Sequence, residues 1–362
     1  MSFEKLKTIP YQPVADSPGA RYYTDWRVFE PYLSNPSPPA QFGWDDYPLR
    51  VLGLKPDLIL KPTQSEKMPK VSGADKKKVL AFHLYNLKSY VELTLRDSNF
   101  TLLVPKPGEG VFSGHISVNA YGDSTLTILY LAPEEAQGLN TISTDVNVAE
   151  GSRLALNFIF SDASNSPSFI LQNATLASRA SLETLLAGGR GQMVHLEVNH
   201  ELKGRGSRTR TLALLAAGKN TRITLETSAE TSYPDTEINV RSLGFAQNGF
   251  IAHKGFARAR RGASGSKLEV RSRLVALTPG SKVYGAPELE IESDEPSEAS
   301  HSVAQGPLDP EQIFYLESRG LSEQEALNLL IRSQYSSLLN LLSPRSLQYK
   351  PVIELLLREL TI

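Results

Sequence analysis

Residues 193–230 read MVHLEVNHELKGRGSRTRTLALLAAGKNTRITLETSAE. Three runs of strand period lie in this stretch, at 193–202, 210–216 and 221–230. Lys203-Gly204-Arg205-Gly206 and Ala217-Gly218-Lys219-Asn220 separate them, each break falling just before a new run. The pattern extends outward in both directions. Upstream come VLAFHL (79–84), YVELTL (90–95), FTLLV (100–104), HISVNA (115–120), TLTILYL (125–131), TDVNV (144–148), RLALNFIF (153–160) and SFILQNATL (168–176). Downstream come EINVRSLGF (237–245), FIAHKGFARA (250–259) and LEVRSRLVAL (268–277). Short strands spaced by about ten residues read as a sandwich, a barrel or a β-solenoid. Their number, and turns too varied for hairpins alone, favour the solenoid, whose stacked coils turn corners on small residues. Glu150-Gly151-Ser152 is another such corner, and Gly188-Gly189-Arg190-Gly191 is read the same way, because it lacks the strand–helix setting of a phosphate loop.

The flanks differ. Residues 1–75 are rich in proline and rings: Tyr11, Tyr22, Tyr23, Trp26, Phe29, Tyr32, Phe42, Trp44 and Tyr47. Prolines at 36, 38, 39, 48, 56 and 62 forbid a long helix, leaving one short helix within Asp25–Leu33. An extended arm with its rings on the main body is expected, followed by a linker from Ser65 to Lys78 with Lys76, Lys77 and Lys78 in solvent. The central region, 76–306, is the solenoid. A C-terminal region, 307–362, turns helical. Asp309 caps a helix that has Pro310 in its first position, where no N–H is needed, and Gly320 stops it. Ser322 and Glu325 form a capping box for a second helix with Ala326, Leu327, Leu330, Ile331, Tyr335, Leu338, Leu339 and Leu342 on its apolar face. Pro344 ends it, and Val352–Leu360 make a third. Bare end coils of a solenoid present unpaired strand edges, so the arm and the C-terminal helices are expected to cap them.

Composition narrows the function. The 362 residues carry 40% apolar side chains and a net charge of −1, the profile of an ordinary soluble protein without a basic field for nucleic acid. The local cluster His253-Lys254 to Lys267, with Arg258, Arg260 and Arg261, reads as a solvated rim. The absence of cysteine excludes disulfides, thiolate-ligated zinc, Cys₄ iron–sulfur binding and thiol nucleophiles. The opening MSFEKLKTIPYQP lacks the apolar core of a leader, and no run approaches membrane-spanning length, so a cytoplasmic protein is expected.

The stretch Pro287–Gln324 carries a resemblance. Leu289-Glu290-Ile291 reads as an acidic apolar strand, Ala299-Ser300-His301 as a turn, and Ile313–Leu321 as a helix ending in Ser318-Arg319-Gly320. Together with Gly191–Val198 and Leu202–Gly206 upstream, these resemble the SufB/SufD family, scaffold components of iron–sulfur cluster assembly, over roughly residues 140–345. The resemblance implies a right-handed parallel β-helix and a helical C-terminal region that docks an ABC-type ATPase, SufC. It also implies pairing with a SufB-like subunit or with a second copy. In that setting Glu311, Phe314, Tyr315, Arg319 and Leu321 would meet the ATPase, and His301 would lie at the subunit junction as an iron or cluster ligand. The departures matter. Ser302-Val303-Ala304 replaces the family's Gly-Ala-Thr, Ala299 stands where cysteine often occurs, and the N-terminal region is shorter than usual. Without cysteine the chain resembles the SufD type, binding no cluster stably and at most sharing a transient one with its partner.

No nucleophile elbow, P-loop or paired-carboxylate motif appears, and no catalytic residue is assigned. A structural reading of His301, capping the last coil through a backbone hydrogen bond, competes with the ligand reading. Glu292, Asp294, Glu295 and Glu298 read as a solvated acidic turn. His195 and His200 are five residues apart on one strand, so they face opposite sides and cannot share a metal. His83, His115 and His253 stand singly. A parallel β-helix carbohydrate-active enzyme is the alternative, but such an enzyme needs a carboxylate or basic cluster along one cleft face and usually a secretion leader, and neither is evident.

Overall fold

The computed structural model describes residues 3–11, 23–42, 55–62, 69, 71, 74–163, 165–293 and 295–357. Among the described residues, seventeen strands form two parallel sheets of nine and eight. Consecutive strands alternate between the sheets, so each coil contributes one strand to each, and about eight turns stack into a β-solenoid. Side chains that bond between neighbouring coils are 26 residues apart for Asn173–Asn199, 28 for Asn119–Asn147 and 30 for Thr236–Ser266. That spacing is the repeat, and it varies because the corners differ in length.

Strand period sorts each strand's side chains to two faces. On Met193–Leu202, Val194, Leu196 and Val198 enter the interior between the sheets, where they join Ile170, Ile223 and Leu225 of adjacent coils. His195 and Glu197 take the outer face, and His200 points inward to Thr209, so the two histidines lie on opposite sides.

Part of each outer face is covered. On the eight-stranded sheet, Phe29, Leu80 and Phe82 pack against Val111, Leu139, Phe169, Leu171 and Met193. VLAFHL is not a strand but the core of a helix, Lys78–Tyr85, buried from Val79 through His83 between the arm and the sheet. The short helix expected within Asp25–Leu33 resolves into two single 3₁₀ turns, Trp26–Val28 and Glu30–Tyr32, the second with Pro31 inside it. The arm's rings do reach the body: Trp26 lies 4.8 Å from His195, Tyr23 4.4 Å from Tyr284, and Phe42 packs edge-on to Phe112. Tyr22, Trp44 and Tyr47 fall outside the described residues. The lysine run is not simply solvated. Lys77 Nζ is 2.6 Å from Glu197, and Lys78 sits over the Tyr11 ring.

On the nine-stranded sheet, outward residues Leu185, Leu212, Leu214, Leu243 and Phe245 receive Leu327, Ile331, Tyr335 and Leu338 of the long C-terminal helix and Leu342 just beyond it. The helices run Pro310–Ser318, Glu323–Leu339, Pro344–Leu347 and Lys350–Leu357. Asp309 caps the first, Gly320 turns out of it at φ +94°, and Ser322 with Glu325 forms the capping box. Glu183 of the sheet accepts hydrogen bonds from Ser343 and Ser346, fixing the chain that leads away from the long helix. The C-terminal helices therefore clad the side of the solenoid and leave its final coil open, contrary to the expected cap.

Candidate functional site

The final coil consists of Lys282–Ile291, last in the eight-stranded sheet, and Glu298–Pro307, last in the nine-stranded sheet. ASH, expected in a turn, lies within the second strand, paired along its length with Lys267–Ala276. Neither strand holds a buried residue, whereas the preceding strand buries alternate positions. Ile291 and Val303 are 40% and 43% exposed. One side of each strand is hydrogen-bonded to its predecessor, and the other is an edge with no further strand among the described residues. Val303 closes toward Gly285, where an added Cβ would come within 2.5 Å of its methyl, and Gln305 accepts the Gly285 N–H.

His301 stands on this edge strand opposite Val270 and is exposed. Its Nδ1 is 3.0 Å from the Pro287 carbonyl of the other sheet's last strand. A carbonyl only accepts, so Nδ1 carries the proton, and in the neutral ring Nε2 keeps its lone pair. The backbone cap and a ligating nitrogen thus coexist on one imidazole. The acidic turn nearby is less solvated than its composition suggested. Arg258 pairs with Glu290 at 3.1 Å and with Glu292, and this holds the Glu292 carboxyl below its ordinary range. The basic cluster is likewise a ladder of ion pairs rather than a free rim: Arg260 reaches Glu230 at 2.7 Å, Lys254 lies 4.0 Å from Glu288, and His253 is buried in the interior. Asp294 lies outside the described residues.

The other expected site, the Pro310–Ser318 helix, buries none of its residues. Ile313 turns toward the side cluster, while Phe314 and Tyr315 are 71% and 56% exposed, with Arg319 over the Tyr315 ring at 5.2 Å. Glu311 and Arg319 are exposed and Leu321 is partly buried. A helix with apolar groups on two sides ordinarily buries both; here only one side is covered.

One grouping was hidden in the sequence. On the outer face of the eight-stranded sheet a groove of about 640 Å³ collects Asp145, Glu197, Glu201 and Glu230, residues from several coils. The signal was the coil spacing, which brings positions roughly one coil apart into columns. A ladder of amides runs along it, with Asn173 bonded to Asp145 at 2.9 Å and to Asn199 at 3.1 Å. This supplies the carboxylate cleft that the carbohydrate-enzyme alternative lacked, but its most buried carboxylate, Glu197, is held in the ionised form. Burial pushes Glu197 up, yet the hydrogen bond from His195 and the charge of Lys77 outweigh it and bring the group to about 2. A general acid for glycoside cleavage needs the opposite shift.

The family model for the SUF system FeS cluster assembly SufBD core domain matches residues 104–334, more than half of the chain. An iron–sulfur cluster assembly SufBD family protein of Mycobacterium leprae is 26% identical over 254 residues, covering 67% of this chain and 63% of that protein. A SufBD family protein of Mycobacterium tuberculosis is 26% identical over 251 residues, covering 66% and 62%. The iron–sulfur cluster assembly protein SufB of Bacillus subtilis is 29% identical over 131 residues, covering 36% of this chain and 28% of SufB. The chain thus spans under two thirds of the length of these relatives.

Proposed function

This chain belongs to the SufBD family of iron–sulfur cluster assembly proteins, and from that membership we propose that it is a non-catalytic, SufD-type scaffold subunit working in the cytoplasm. It pairs through its final coil with a SufB-like subunit or a second copy, and binds a SufC-like ATPase through the Pro310–Ser318 helix and Leu321. The observation that carries this reading is the final coil: among the described residues, its two strand edges and the apolar Ile291 and Val303 are left exposed, while much of both sheet faces packs under the arm and the C-terminal helices. Exposed edges of that kind invite another chain. His301, with Nδ1 committed to Pro287, offers Nε2 to iron or a cluster held transiently with the partner. The lack of cysteine supports a share in cluster binding rather than a complete site. Phe314, Tyr315 and Arg319 supply the aromatic and guanidinium anchors that dominate protein interfaces.

Co-purification with a SufC-like ATPase tests the assignment. The unmutated chain should retain the ATPase, and Tyr315→Ala and Arg319→Ala should each weaken retention at least tenfold, about 1.4 kcal/mol of binding. No complex with the unmutated chain sinks the scaffold reading. A stable iron–sulfur chromophore on the chain alone, after anaerobic reconstitution, overturns the SufD-type assignment.

A further inference from the structure

Outside both sites, His195 and Glu197 project from one strand and Glu226 from the next, with one ligand atom of each within 4.8 Å of the others. His195 Nε2 is 3.0 Å from Glu197 Oε1. Strand period puts His195 and Glu197 on one face, and the parallel register sets Glu226 directly beside Glu197. The geometry points to a binding site for a first-row divalent transition cation, held by His195 Nε2 and the carboxylates of Glu197 and Glu226.

Several independent features fit. One imidazole and two carboxylates form the nitrogen–oxygen set that suits Fe(II), Mn(II) and Zn(II), while the imidazole disfavours Mg²⁺. Three protein groups leave a fourth position for water. The ring is already oriented from behind, with Thr24 Oγ1 of the arm 2.8 Å from Nδ1 and Phe169 stacked at 5.4 Å. A metal on Nε2 makes Nδ1–H the donor to that hydroxyl, the outer partner that ligating histidines ordinarily have. The groove gives a route in, since Glu197 lines it. Lys77, 2.6 Å from Glu197 Oε2, is the competing cation: its ammonium gives way when the metal arrives. This inference stands apart from the scaffold reading, because it uses neither the final coil nor the C-terminal helices.

The test is a titration of the purified full chain with Co²⁺, followed by its visible d–d absorption, and with Zn²⁺ in competition. One equivalent should bind, Mg²⁺ should not displace it, and Glu226→Gln and His195→Gln should abolish the bands. Thr24→Val should weaken binding about tenfold, as loss of an outer-sphere partner does, and Lys77→Met should tighten it. Glu226 is only partly buried, so its variant keeps the fold and decides the matter should the His195 variant unfold. Absence of Co²⁺ and Zn²⁺ binding at millimolar concentration, or binding with the same spectrum in folded Glu226→Gln, overturns the proposal.

Discussion

His253 lies inside the solenoid with Nε2 3.0 Å from Thr227 Oγ1 and Nδ1 2.7 Å from the hydroxyls of Ser242 and Ser272. His200 is held likewise by Thr209 at 2.7 Å and Gln172 at 3.3 Å. Burial deprives an imidazolium of water, and this lowers the pKa of both rings to about 4 from the ordinary 6.5. The unfolded chain takes up these protons near pH 6.5, the folded chain only near pH 4. Stability from this source is therefore complete above the unfolded value and drains as pH falls toward the folded one, by about 3 kcal/mol per histidine. Urea unfolding across that interval checks it. His253→Gln, which keeps hydrogen-bonding capacity but takes up no proton there, should show a shallower loss than the parent chain; an identical pH slope would refute the account. Neither ring's neutrality was legible from its sequence position, since inward and outward placement depends on a strand register that neighbouring coils fix.

The elements were legible to different degrees, for physical reasons. Runs such as 193–202 and 221–230 declared themselves because one face meets the interior and the other does not. VLAFHL is apolar but for His83, and so short a run carries no clear period to tell helix from strand; it is a helix because both the arm and the sheet bury it. Ser181–Gly189 escaped notice as a strand because its glycines look like punctuation. They serve close packing instead: a Cβ on Gly188 would lie 1.8 Å from the Phe160 carbonyl oxygen. The caps and stop of the first two C-terminal helices, all local, matched their sequence reading, but the second ends at Leu339, Pro344 opens a further short helix, Pro344–Leu347, and the last starts at Lys350; which surface they cover was not legible, being a tertiary choice. That choice separates two kinds of apolar residue. Ile331→Ala, in the buried cluster against the sheet, should cost about 2–5 kcal/mol. Phe314→Ser and Tyr315→Ser, on the uncovered side of the preceding helix, should change stability by no more than about 0.5 kcal/mol. Denaturant midpoints of the three variants decide it. Equal losses would mean that the exposed rings serve the fold, and the ATPase dock would lose its footing.

At the scale of the whole molecule, the two ends of the solenoid are treated differently. At the start, Leu58–Ile59 adds a short parallel strand to the edge, and Phe42 and Leu60 pack into the core. At the finish, no described segment adds to Lys282–Ile291 or Glu298–Pro307. The sequence suggested a cap because helices follow the last coil, yet those helices are drawn to the side by the apolar stripe of Leu185, Leu212, Leu214, Leu243 and Phe245. A solenoid that spends its C-terminal helices on one flank leaves edge pairing to a second chain, and continuing the two sheets across a junction satisfies both exposed edges at once. Lysine on an edge blocks such pairing while remaining comfortable in water. Ile291→Lys combined with Val303→Lys should therefore leave the melting temperature of the isolated chain nearly unchanged, since both side chains are already about two-fifths exposed. Sedimentation velocity should then show loss of the dimer, whether with a second copy or with a SufB-like subunit, while ATPase binding through Phe314 and Tyr315 persists. An unaltered dimer in the double variant would place the interface elsewhere, and a parent chain that stays monomeric with either partner would remove the final coil from the assembly altogether.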